Sequence, residues 1–382
     1  MNYDVICIGA GVLGTFHAYF SALKDKKVLL IERDYTPFEG TVRNFGQCVP
    51  SGQAFPEWRN FGVLGMNTYK TIQAKTDISV RQNGTCYIAS DVGEMTLLQE
   101  AFERDKQSGY KSFLLSKNQV LEKFSSLRSD YPVGALFYPE EISLEPRSAI
   151  SRIIDFVQKS AVVEFRPNTT VVGCERKNGC VRVTTSAGDK FTAGQVFLCS
   201  GREFKILFPS LFFQSGISLC KLQMMITKPM PEVHLPGNIL TGYSIRRYEG
   251  FHSLPSYTHI CAYPKNTELE NEWGIHLLFK QAADGSVIIG DSHEYAPAYH
   301  SEKLDFGINM YVNNLMLREA QNIMRFPSWD IDSYRNGYYS THPDGIYNIT
   351  ADEGIQIVTG IGGKGMTTSA GFAEYNVHQI LG

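Results

Sequence analysis

An apolar run at Val5-Ile6-Cys7-Ile8 leads into Gly9-Ala10-Gly11-Val12-Leu13-Gly14, a helical stretch continues to about Lys24, and a second run, Val28-Leu29-Leu30-Ile31, stops at Glu32. Short unbroken apolar runs bounded by turn signals read as buried strands, so the stretch predicts strand, glycine-rich turn, helix and strand. Farther on, Met95, Leu98 and Phe102 recur at helical spacing over 94–107, and another helix is predicted over 117–127. A turn-rich segment from Tyr138 to Arg147 opens a helix over 148–158 with Ile150, Ile153, Ile154 and Val157 on one side. Strands are predicted over 162–166, 169–176, 181–185 and 195–199. Asn178-Gly179 joins the second and third as a hairpin turn, setting Cys180 opposite Lys177 and Cys174 opposite Val183.

From about 207 to 325 the pattern changes. Strand-like runs at 222–226, 258–262 and 287–290 are separated by Pro, Gly and charged residues, and a helix is predicted over 303–324. Such spacing suits an antiparallel sheet. The chain closes with a strand over 355–359, then Gly360-Ile361-Gly362-Gly363-Lys364-Gly365-Met366-Thr367, which enters a final helix. With no repeat or low-complexity linker in sight, two interleaved domains are expected. Residues 1–80, 145–215 and 326–382 form a dinucleotide-binding domain, and 81–144 and 216–325 a substrate domain.

The opening stretch carries the first chemistry. Gly9 permits a tight turn, Gly11 lets a pyrophosphate approach the backbone, and Gly14 lets helix and strand pack closely. Glu32 lies where a carboxylate accepts hydrogen bonds from ribose hydroxyls, about 20 residues after the glycines.

Composition narrows the partners. With 36 basic and 39 acidic residues the net charge is -3, which favours neither nucleic acid nor an anionic membrane, so a small-molecule partner is expected. No apolar run approaches the roughly 18 residues of a membrane span, and a first strand starting at Tyr3 leaves no space for a signal peptide. Eight cysteines without a CxxC pair suit a reducing compartment, and a cytoplasmic location is expected.

Gly9 to Glu32 followed by Arg43-Asn44-Phe45-Gly46 resembles the D-amino-acid oxidase and glycine oxidase superfamily of FAD-dependent amine oxidoreductases. The resemblance implies an α/β fold: a Rossmann-like FAD-binding domain with an interleaved antiparallel-sheet substrate domain. It implies FAD held by Gly9, Gly11, Val12, Leu13, Gly14, Glu32 and Arg33, by the flavin loop Arg43, Asn44, Phe45 and Gly46, and by Val171 or Val172 near the adenine. Ser200 and Gly201 would lie beside the dinucleotide. Gly362, Gly363, Lys364, Gly365, Met366 and Thr367 would start a helix whose positive end faces the flavin. The bond is expected to be non-covalent, because Gly337 stands where sarcosine oxidase-like members carry the linking cysteine.

An anionic substrate group needs a guanidinium, and Arg43, Arg246, Arg247 and Arg335 are the candidates. Arg246 and Arg247 are adjacent on a predicted strand and should face opposite ways. Gly290-Asp291-Ser292-His293 resembles a signature of the branch associated with aminophosphonate breakdown, with His293 a candidate for touching the substrate. The acidic companion of His293, Glu294, is adjacent, and no HExxH or carboxylate triad completes a site, so no metal is expected. The resulting expectation is dehydrogenation of the C–N bond of a small anionic amine, such as an aminoethylphosphonate or its N-methyl derivative, with electrons passed on to oxygen, a quinone or another acceptor. The alternatives are glycine, sarcosine or a D-amino acid as substrate, a 2-hydroxy acid or glycerol phosphate dehydrogenase, and a non-catalytic flavin-binding protein.

Overall fold

The computed structural model describes residues 2–382. Val5 to Ile8 and Val28 to Ile31 are almost wholly buried, and such two-sided burial is what a parallel sheet covered on both faces requires. Five strands run parallel in the spatial order Ile355–Thr359, Lys190–Leu198, Asn2–Ile8, Val28–Ile31, Val163–Arg166. Tyr347–Asp352 adds an antiparallel edge, and the hairpin Val171–Lys177 and Cys180–Thr185 extends from Lys190–Leu198. Its register pairs Cys180 with Lys177 and Cys174 with Val183, as the Asn-Gly turn predicts. All eight cysteines are free thiols.

One face of this sheet packs on the helices Val12–Ala22, Glu57–Gln73, Pro146–Ser160 and Gly365–Leu381. The helix Pro146–Ser160 turns Ile150, Ile153, Ile154 and Val157 inward, the stripe read from their spacing. Glu57–Gln73, absent from the sequence reading, lies along the C-terminal helix, where Gly65 and Gly371 let the two backbones approach so closely that a Cβ on either would collide with main chain.

A second sheet of nine strands is antiparallel except where Asn238–Leu240 pairs parallel with Thr85–Ala89. Ser218–Thr227 is buried through all but its first residue and lies against Val287–Gly290, Glu294–Pro297 and Ile331–Thr341. Four expectations change here. The run at 258–262 is not a strand but overlaps the helical turn Tyr257–Ile260, where Tyr257 Oη donates to Arg246 O and Ile260 O accepts from Arg246 Nη1. Arg246 and Arg247 end a short helix, Gly242–Arg247, rather than sharing a strand. The helix expected from 303 begins only at Met310, with Asn309 as its N-cap. Finally, Ile331–Thr341 belongs to the second sheet, so the chain rejoins the first sheet after Thr341, later than the boundary expected at 326.

Candidate functional site

A cavity of about 860 Å³ opens at the carboxyl ends of the parallel strands and runs to the second sheet. At one end the strand Asn2–Ile8 stops at Gly9, whose φ of +97° suits glycine. A Cβ at Gly9 would strike Cys199 O, and one at Gly14 would strike Gly9 O. Gly11 caps the first helix with extended backbone and no side chain, so a ligand can reach the helix start; Thr41 Oγ1 accepts only the Val12 N–H, at 3.1 Å. Gly11, Val12 and Leu13 line the cavity, while Gly14 lies behind them.

Glu32 is buried and accepts from Ala10 N at 2.8 Å and Asp34 N at 3.1 Å, which fixes its carboxylate at the cavity wall. Arg33 lines the same end, 3.3 Å from Asp34. Val171 is buried against the cavity, but Val172 is 46% exposed and lies outside it, because successive strand residues face opposite ways. Of the two adenine candidates only Val171 lines the cavity. Gly201 lines it as well, at φ +60°, and Ser200 Oγ is buried there without a hydrogen-bond partner among the described residues.

The loop after Gly40 bends over this groove, and Asn44 is its internal brace. Its Nδ2 donates to Gly40 O and Thr41 O, and its Oδ1 accepts the Gly46 N–H at 2.7 Å. Gly46 sits at φ +69°, with Leu144 O where a Cβ would go. Phe45 is buried between the cavity and the core. Arg43 lines the cavity with its guanidinium over the Phe38 ring and its Nε donating to Phe38 O. Across the groove Gly362, Gly363, Lys364, Gly365, Met366 and Thr367 line the wall, and the helix Gly365–Leu381 starts without a side-chain cap. Lys364 reaches away to the Trp58 ring and stands 3.5 Å from Glu249.

The other end is polar and crowded with aromatic rings: Arg247, Tyr248, His276, Asp291, His293, Tyr295 and Tyr339 all line it. Arg246 does not. Its Nε donates to the buried Glu94 at 3.0 Å and its Nη2 to Asp91 at 3.3 Å, so its charge is spent inside the second sheet's helical cover. Arg335 also lies off the cavity, near Arg147, Asp332 and Asp284. Arg247 donates through Nη2 to Tyr295 Oη at 2.9 Å and, among the described residues, has no carboxylate within 4.0 Å.

His293 has the companions that the sequence reading did not find. His276 Nε2 is 3.0 Å from Asp291 Oδ1, His293 Nε2 is 3.7 Å from Asp291 Oδ2, and the two imidazoles stack with centroids 5.1 Å apart. The three ligand atoms lie within 4.8 Å of one another, close enough to share an ion, so His293 does have metal-ligating partners, contrary to the expectation. Main-chain pairing makes the cluster: His276 N donates to Asp291 O and Asp291 N to His276 O. Burial pulls His293 down to about 3, against the pull of Asp291, and lowers His276 too. Burial alone would raise the Asp291 carboxyl, but His293, His276 and Arg247 outweigh it and hold it below the ordinary range.

An uncapped helix start behind a glycine turn, a ribose-directed carboxylate, a second uncapped helix start and an unpartnered buried hydroxyl together fit a dinucleotide, with a separate polar chamber at the far end. The class so defined is a dinucleotide-dependent enzyme. The chain belongs to the FAD dependent oxidoreductase family, DAO, whose model matches residues 4–378, and FAD is its cofactor. It is 24% identical over 212 residues to glycine oxidase of Bacillus subtilis (strain 168), a match spanning 52% of this chain and 54% of that one, about half the relative's length. Its fold superposes on glycine oxidase from Geobacillus kaustophilus with a TM-score of 0.78 at 14% identity, covering 100% of this chain and 94% of that one. L-α-glycerophosphate oxidase from Mycoplasma pneumoniae, with FAD bound, matches with a TM-score of 0.77 at 15% identity over 99% of this chain and 95% of the other. No helix among the described residues is long and apolar enough to cross a membrane.

Proposed function

We propose that this oxidoreductase dehydrogenates the C–N bond of a small amine that also carries an anionic group, with an aminoethylphosphonate or its N-methyl derivative as the leading substrate. Arg247 carries the reading. It is a cation on the wall of the polar chamber, bonded to a phenol and, among the described residues, to no carboxylate, and a guanidinium left in that state suits a carboxylate or phosphonate fork. Gly9, Gly11, Val12, Leu13, Glu32, Arg33, Val171, Ser200, Gly201, the 43–46 loop and residues 362–367 would hold FAD, which when bound supplies the two-electron acceptor. Arg247, Tyr295 and Tyr339 would fix the anion, orienting the carbon–nitrogen bond and excluding water.

Anaerobic addition of 2-aminoethylphosphonate, its N-methyl derivative, glycine and sarcosine tests the proposal, with glycerol 3-phosphate and a 2-hydroxy acid alongside. Bleaching of the oxidised flavin band by an amine is the expected result; bleaching by the hydroxy compounds alone, or by none, overturns it. Arg247→Met should raise KM for the anionic amine roughly a hundredfold, the loss of a charge-assisted fork, while Arg335→Met leaves it unchanged.

A further inference from the structure

We infer that Asp291, flanked by His276 and His293, is the receptor for the substrate's cationic nitrogen, so that the polar chamber recognises a zwitterion by two poles: Arg247 for the anion and Asp291 for the ammonium. This rests on the reading of the chamber as an amine site.

His293 Nδ1 lies 2.9 Å from Gly274 O, and a carbonyl only accepts, so the ring proton is on Nδ1. The neutral ring then presents a bare lone pair at Nε2, and it presents it toward Asp291 Oδ2 at 3.7 Å. Two acceptors face each other across a gap with no donor between them. Asp291 Oδ1 is no better served. His276 Nε2 approaches to 3.0 Å and draws the carboxyl down, but it does not complete a full hydrogen bond to the buried Oδ1, which is left without a partner among the described residues. A buried carboxylate without a well-aligned donor is costly unless a ligand completes it. An ammonium or amine N–H is the complement, since it can donate to Oδ2 and to His293 Nε2 together.

Arg247 supplies the second half. It lines the same chamber as Asp291, yet among the described residues no guanidinium nitrogen comes within 4.0 Å of a carboxylate oxygen, so the two form no direct ion pair. Tyr295 holds the arginine, and the paired main-chain hydrogen bonds with His276 hold the aspartate. Two opposite charges held apart on one wall form a receptor for a molecule with the reverse arrangement. Two histidines and a carboxylate are also a common metal set, but the Arg247 guanidinium beside them disfavours a dication and does not disfavour a zwitterion whose own anion meets that arginine.

The test compares ligands that differ only at nitrogen, read as perturbation of the flavin spectrum in the FAD-loaded protein: 2-aminoethylphosphonate against ethylphosphonate, and glycine against acetate. Asp291→Asn keeps the shape and removes the charge. It should weaken the amine of the bound pair by roughly thirtyfold or more and leave its nitrogen-free partner within about twofold, the size of one charge-assisted contact. Should that variant not retain FAD, His293→Leu removes the neighbouring acceptor and should weaken only the amine, by roughly three- to tenfold. If the wild type binds the amines but the variants affect both members of a pair equally, or neither, the inference is overturned and the functional reading stands. If the wild type binds neither member of either pair, the functional reading falls and takes the inference with it. Stoichiometric metal in the purified protein, lost with Asp291→Asn, overturns the inference in favour of a metal site.

Discussion

His17 is fully buried between the first and last helices, with its Nδ1 2.7 Å from Leu13 O and its Nε2 3.0 Å from the Asn376 amide. Burial lowers its pKa from 6.5 to about 4, against a small upward pull from the Leu13 carbonyl. The unfolded chain therefore takes up a proton here before the folded one does. Stability from this residue is complete above about pH 6.5 and is lost as pH falls toward 4, on the order of 3 kcal/mol in all. Urea midpoints at pH 5 and pH 7.5 should differ less in His17→Gln than in the wild type. Equal differences in the two proteins would remove His17 from the account. Glu141 works in the opposite sense. Burial raises it to about 7, despite the N–H of Ser51 and the hydroxyl of Tyr110, so it costs stability as pH rises from 4.5 through 7.

At the scale of elements, close backbone approach does much of the positioning. Gly14 touches Gly9, so Gly14→Ala must push the first helix off the strand Asn2–Ile8 and spoil the phosphate end of the cavity. FAD content of the purified variant should fall by more than half at unchanged chain length, and full retention would contradict the contact. Gly337 rests against Arg43 O, where a Cβ would sit 2.6 Å away, and Cys48 is buried outside the cavity with its thiol pushed well up. Neither position offers a thiolate to a flavin. Acid precipitation should release yellow FAD and leave a white pellet; a yellow pellet yielding a flavinylated peptide would reverse this. The elements that were legible in advance share one property, that local pattern and burial agree: Val28–Ile31, Ile355–Thr359 and the Asn178-Gly179 hairpin were each set by neighbours in sequence. Tyr257–Ile260 was not, because its β-branched run is overruled by contacts with Arg246, eleven and more residues earlier. His276 was missed for a related reason. Nothing near it announces chemistry, and only the antiparallel pairing of Leu278–Gln281 with Val287–Gly290 carries it to Asp291. Reading Ala282-Ala283-Asp284-Gly285 as the hairpin turn would have brought His276 opposite Ser292; the one-residue shift that pairs it with Asp291 comes after Gly290 and leaves no mark in the local pattern.

The molecule as a whole is laced across its own cavity. Ile331–Thr341 begins in the second sheet and ends beside the first, where Ser340 Oγ donates to Gly201 O and Thr341 pairs with Ile361. Added FAD should therefore stabilise both sheets together, by about 2.7 kcal/mol at a hundredfold excess over Kd, and flavin fluorescence and tryptophan signals should unfold at one midpoint. Two separated midpoints would show that the lacing does not couple the halves. This crossing strand reaches past biophysics into the cell. Where the ends of two sheets close on one vitamin-derived molecule, a chain made without it keeps an open seam that quality-control proteases can exploit, so riboflavin starvation should lower the amount of this protein and not merely leave it inactive.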